Sequence, residues 1–160
     1  MNTTSQPLPI TFIVGDVFQD RNKNLTPLYF GDNFKKWFFE PNKDKMITIT
    51  SISKLKLYVL PRNMSDGIIQ KNLQSTPMDM DTFWTVVYCL IVNPKFCKEL
   101  LGEELSRDNR YVMHVQIDNV VYAFNFLWDV REWGLFAAIF NDNLEDDADG
   151  WHKDRVYLYL

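Results

Sequence analysis

The chain has 160 residues, 46% hydrophobic and 15% aromatic, with a net charge of −4. That is enough apolar material for one domain with its own core, and it excludes a collagen-like or linker-rich chain. Only six glycines argue against phosphate-cradling loops, and an acidic balance argues against a broad nucleic-acid footprint.

Residues 1–9 form a polar, loose start without the basic and apolar regions of a secretory signal. Ile10–Phe18 reads as a strand with Gly15 at a bulge position, and 19–27 as a polar loop. Asp32–Glu40 places Phe34, Trp37 and Phe38 at helical spacing, with Pro41 as the stop. Residues 45–52 and 54–60 alternate with period two, as half-buried strands do. In the second, Leu55, Leu57 and Val59 are expected inward and Lys54, Lys56 and Tyr58 outward.

Residues 61–75 read as irregular, with a short helical piece over Gly67–Leu73. Thr76-Pro77-Met78-Asp79 offers a capping hydroxyl, a proline for the first turn and a carboxylate. The run from there to Val92 is apolar on nearly every side, the mark of a buried helix. Asn93-Pro94 repeats the signal and starts a second helix with the stripe Phe96, Leu100, Leu101 and Leu105.

Two strand-like runs, Arg110–Ile117 and Val120–Trp128, are separated only by Asp118-Asn119, which suits a two-residue turn. Ile117 then faces Val120, Val115 faces Tyr122, Met113 faces Phe124 and Tyr111 faces Phe126. That face is wholly apolar and is expected inside; the other, with His114 opposite Ala123, is mixed. Gly134–Phe140 reads as a third strand, Asn141–Gly150 as an acidic loop, and Asp154–Leu160 as a final strand that should bury Val156, Leu158 and Leu160. The order predicts a single α+β domain over 1–160, with a largely antiparallel sheet of five to seven strands and two central helices packed on one face.

The longest uncharged apolar run, Phe83–Val92, is about half of what a membrane helix needs. Cys89 and Cys97 read as reduced core thiols, so a cytoplasmic protein is expected. Charge is uneven along the chain: residues 1–76 hold 10 Lys/Arg against 6 Asp/Glu, and residues 77–160 hold 7 against 15.

Function is carried by no familiar motif: there is no nucleophile elbow, Walker loop, dinucleotide fingerprint or zinc spacing. Glu145, Asp147 and Asp149 ahead of Gly150 fit the first places of a calcium loop. Val156 then stands where its bidentate Glu belongs, so neither metal nor cofactor is expected. The favoured expectation is a non-enzymatic interaction protein, of inhibitor, immunity or adaptor type. It would present Trp133, Asp142, Glu145, Asp146, Asp147, Asp149 and Trp151 to a basic protein. One alternative is an enzyme or small-ligand binder with a pocket near His114 and Asp129. A second is single-stranded nucleic-acid binding through Lys35, Lys36 and Trp37. A homodimer through the final strand and the mixed hairpin face, or through an exposed sheet edge, is a third expectation.

Overall fold

The computed structural model describes residues 8–18, 28–129, 131–144 and 150–160. Within them the chain is mixed α+β, with a six-stranded, mostly antiparallel sheet and a second sheet of two strands. β5 (Arg110–Ile117) and β6 (Val120–Asp129) pair in the expected register, from Ile117 opposite Val120 to Arg110 opposite Leu127. Asp118 takes a φ of 53° in the two-residue turn, a conformation that Asp tolerates better than most residues.

β7 (Glu132–Ile139) extends the sheet antiparallel to β6, and β2 (Leu28–Phe30) lies parallel to β7. On the other side β8 (Val156–Tyr159) runs parallel to β5, and β4 (Lys56–Val59) closes the sheet antiparallel to β8. The last strand therefore lies inside the sheet, as its Val156 and Leu158 require. Leu160 does not follow them. Pairing ends at Tyr159 opposite Lys56, and Leu160 is 49% exposed.

β5 is covered on both faces. Tyr111, Met113 and Val115 join the main core with Phe124 and Phe126. Val112, with Tyr157 of β8, joins a second cluster with Leu60, Met64 and the α3 (Asp66–Leu73) residues Ile68 and Ile69. The mixed hairpin face is thus partly buried as well.

In the main core, aromatic rings converge on Phe124. Phe34 of α2 (Asp32–Phe34) lies 5.4 Å from it, and Phe83 of α4 (Met80–Val87) meets it edge-on at 4.7 Å. α5 (Pro94–Leu101) adds Phe96, Cys97 and Leu100. β1 (Ile10–Ile13) and β3 (Met46–Ile49) form the small sheet and send Ile10, Phe12, Ile47 and Ile49 into the same core.

Several elements depart from the sequence expectation. The first strand stops at Ile13, and α1 (Val14–Val17) is a helical turn held by Gly15 N–H donating to the Lys43 carbonyl at 2.7 Å. Pro41 does not stop the helical run from Asp32. It enters a 3-10 turn, Glu40–Asn42, where a missing N–H costs little.

The cap of α4 is Asp79, not Thr76. Its carboxylate accepts from Thr82 N–H at 2.7 Å. Met78 is drawn into an extended bridge with Val115, accepting from Gln116 N–H and donating to the His114 carbonyl, so the helix cannot begin earlier. α5 does start as the Asn93-Pro94 signal predicts, with Asn93 accepting from Lys95 N–H.

Leu57 and Val59, expected inward, are 42% and 51% exposed. β4 is the outer strand, and α5 ends at Leu101 before it can cover them. Among the described residues no helix is long and apolar enough to cross a membrane.

Candidate functional site

The described residues on either side of the acidic segment, 141–143 and 150–151, attach at one place, the start of α3. Ser65 caps this helix: its Oγ accepts from Ile68 N–H at 3.2 Å and donates to the Asn143 carbonyl. Gly67 N–H donates to the Asn141 carbonyl at 2.9 Å. A Cβ on Gly67 would lie 2.9 Å from the Asp142 carbonyl oxygen, so only glycine lets the departing chain approach this closely. On the returning side, Trp151 and Met64 exchange two backbone hydrogen bonds of 2.8 and 2.9 Å. Gly150 lies so near the Met64 backbone that any Cβ would collide with it.

Asp66, only 3% exposed, stands between the two attachments. Its Oδ2 accepts from Asn141 N–H at 2.9 Å, and its Oδ1 accepts from the Trp151 indole at 2.7 Å. The same Oδ1 is 2.7 Å from Nε2 of His114, which is 1% exposed. Nδ1 of that ring lies 3.0 Å from the Tyr157 hydroxyl, itself 3.0 Å from Ser75 Oγ.

A consistent assignment puts the imidazole proton on Nε2. The Tyr157 hydroxyl then donates to Nδ1, and Ser75 donates to Tyr157. Burial pushes the Tyr157 phenol up to about 12, against a smaller downward pull from the Ser75 hydrogen bond. The chain of groups runs from Ser75 to the carboxylate, and every polar atom named in it has a partner.

A cavity of about 370 Å³ opens beside this cluster, lined by Ser65, Asp66, Asn141, Trp151, His152 and Arg155 among others. Burial, and then the neighbouring Arg110, hold the Arg155 guanidinium below its ordinary value. Both ring nitrogens of His114 are engaged and the side chain is fully enclosed, so the imidazole offers no free nitrogen to a molecule in the cavity. As arranged, the cluster joins chain segments together.

Of the residues expected at a partner surface, Asp142 is exposed next to the α3 attachment, and Trp151 is half-buried with its indole N–H turned to Asp66. Glu145, Asp146, Asp147 and Asp149 lie outside the described residues. Trp133 is 5% exposed in the main core, 5.8 Å from Phe126 and 5.4 Å from Trp128. Trp133 is also six residues along β7 from Ile139, which lines the cavity beside Trp151. At the rise of a strand that is about 20 Å, so the two tryptophans are not brought together.

Nor are His114 and Asp129. The first pairs with Ala123 in mid-strand, whereas Asp129 ends β6 and lines another cavity of about 340 Å³ with Tyr29, Leu127, Glu132, Gly134 and Phe136. Lys36 is exposed and Lys35 half-buried, while Trp37 rests on Tyr122 with ring centres 5.1 Å apart. Among the described residues no group of three or more His, Cys, Asp or Glu could hold a metal ion.

Sequence reading passed over Asp66. Its only mark is the Ser65-Asp66 pair ahead of the helical piece, which reads as an ordinary cap and first turn. No known family model matches the chain, and neither a curated protein sequence nor a solved structure shows significant similarity to it.

Proposed function

We propose that this chain is a non-enzymatic interaction protein, of inhibitor, immunity or adaptor type, that presents an acidic surface with a tryptophan at its edge to a basic protein. The observation that carries this reading is the double attachment at Asp66. One buried carboxylate takes the Asn141 amide on one side of the acidic segment and the Trp151 indole on the other. Fixing the residues that flank the segment, Asn141 and Trp151, at one helix start lowers the ordering cost of binding. Asp142 and the sequence positions Glu145, Asp146, Asp147 and Asp149 supply the charge, for steering and specificity. Of the two candidate tryptophans, Trp151 is the one with surface to offer. Two buried free thiols fit a reducing compartment, and on that basis we assign the cytoplasm.

The test is affinity capture from lysate of the native host. Wild-type protein is compared with the Asp146→Asn/Asp147→Asn/Asp149→Asn variant at matched thermal stability. A basic protein enriched by the wild type and lost with the variant is the expected result. Equal enrichment by both baits would sink the reading.

A further inference from the structure

The β4 strand is patterned for burial and is not buried. Leu57 and Val59 pair with Leu158 and Val156, two core residues, yet remain 42% and 51% exposed. Among the described residues β4 has a strand neighbour only on its β8 side. Leu60, two residues past Tyr58, sends both its N–H and its carbonyl toward the β8 side, bonding Arg155 and Asp154. By the alternation of an antiparallel ladder, the backbone groups of Leu57 and Val59 face away from β8.

Next to this edge lies a groove of about 290 Å³ whose floor is Leu57, Val59, Leu101, Tyr111 and Val156 and whose rim carries Glu103 and Glu104. The groove is preformed. Leu55 N–H donates to the Leu100 carbonyl at 2.9 Å, and the Tyr111 hydroxyl donates to the Ser106 carbonyl at 3.0 Å. Among the described residues no basic side chain lines it. Lys98 reaches Glu104 at 3.5 Å, but both side chains are well exposed, and such a pair is weak and easily exchanged.

The geometry points to an extended segment of a partner protein, with apolar residues at alternate positions flanked on the same face by lysine or arginine, that adds to the sheet as a strand beside β4. Its main chain pairs with Leu57 and Val59, its apolar side chains fill the groove, and the cations that flank them on the same face meet Glu103 and Glu104. A second copy of this chain fits less well. A two-fold pairing of β4 with itself brings two acidic rims onto one apolar strip, and like charges set together oppose association. None of the residues that line the groove belongs to the acidic 141–150 segment, and neither reading depends on the other.

The probe is a synthetic peptide of about ten residues, the length of a long strand, alternating valine and threonine with lysine in place of the outermost valines. Fluorescence anisotropy should show saturable binding to the wild-type protein. Affinity should fall about tenfold, the worth of about 1.4 kcal/mol, in Glu103→Gln/Glu104→Gln and in Leu57→Ser/Val59→Ser. The same peptide with glutamate in place of lysine should not bind. Nor should the lysine peptide N-methylated at alternate amides, a control that needs no protein variant. The Asp146→Asn/Asp147→Asn/Asp149→Asn protein should bind like wild type.

Absence of binding to the wild type, or equal binding by the glutamate variant and the wild type, overturns the proposal. So does a concentration-dependent dimer in sedimentation that Leu57→Ser/Val59→Ser abolishes, because the edge is then taken by a second copy.

Discussion

Asp66 gathers three donors on one carboxylate that is almost wholly out of water: the Asn141 amide, the Trp151 indole and His114 Nε2. Removing the acceptor strands all of them, and a buried donor left unpaired costs about 1–3 kcal/mol. Asp66→Ala should therefore lower stability by about 3 kcal/mol or more in urea denaturation. A loss below about 1 kcal/mol, the worth of one ordinary hydrogen bond, would mean that the cluster is not the clasp described. His114 was visible in the sequence as one of only two histidines. Asp66 was not, because its partners lie 48, 75 and 85 residues away, and nothing local announces a carboxylate that will be buried.

Helix starts show how nearby signals are overruled. Thr76-Pro77 and Asn93-Pro94 look alike as sequence, yet only the second opens a helix where expected. Met78 is taken by the bridge to Val115, and the capping role passes to Asp79. Asp79→Ala should cost about 1 kcal/mol, and Thr76→Ala nearly nothing; the reverse order in thermal melts would restore the Thr76 cap.

The effect carries a pH signature. Hydrogen bonds from the Thr82 backbone and side chain hold the Asp79 carboxyl below its ordinary value of 3.8. A carboxyl whose value is depressed on folding stabilises the native state above the ordinary value and loses that contribution as pH falls through the folded one. The gap between wild type and Asp79→Ala should therefore be full at neutral pH and narrow below pH 3.8. Strand β4 teaches the same lesson about position. Period-two alternation correctly assigned Leu57 and Val59 to one face, but not whether anything would cover that face.

At the scale of the whole molecule, both sheets and the helices α4 and α5 share the main core. Cys89 and Cys97 are buried within it. Burial, with smaller contributions from Glu99 and Cys97, pushes the Cys89 thiol up to about 12; burial also raises Cys97. A thiol kept protonated and enclosed reacts only when the core opens. Both should stay unmodified by an aromatic disulfide reagent at neutral pH, with a labelling rate that follows unfolding as urea is raised. Fast labelling of either thiol without denaturant would show that the core around α4 and α5 opens separately.

By itself the sequence determined what depends on neighbours in the chain. The β5–β6 register follows from a two-residue turn and strict alternation, and it holds from Arg110 to Ile117. The Asn93 cap and the inward stripe of α5 follow from helical spacing, and the mixed α+β class from the order of elements. Only the tertiary structure decided that β4 is an outer strand, that α3 covers part of the mixed hairpin face, and that Asp66 clasps both ends of the acidic segment. Those outcomes rest on contacts between residues far apart in sequence. Such contacts are set by which surfaces the finished core leaves to be covered, and no local period or cap encodes that.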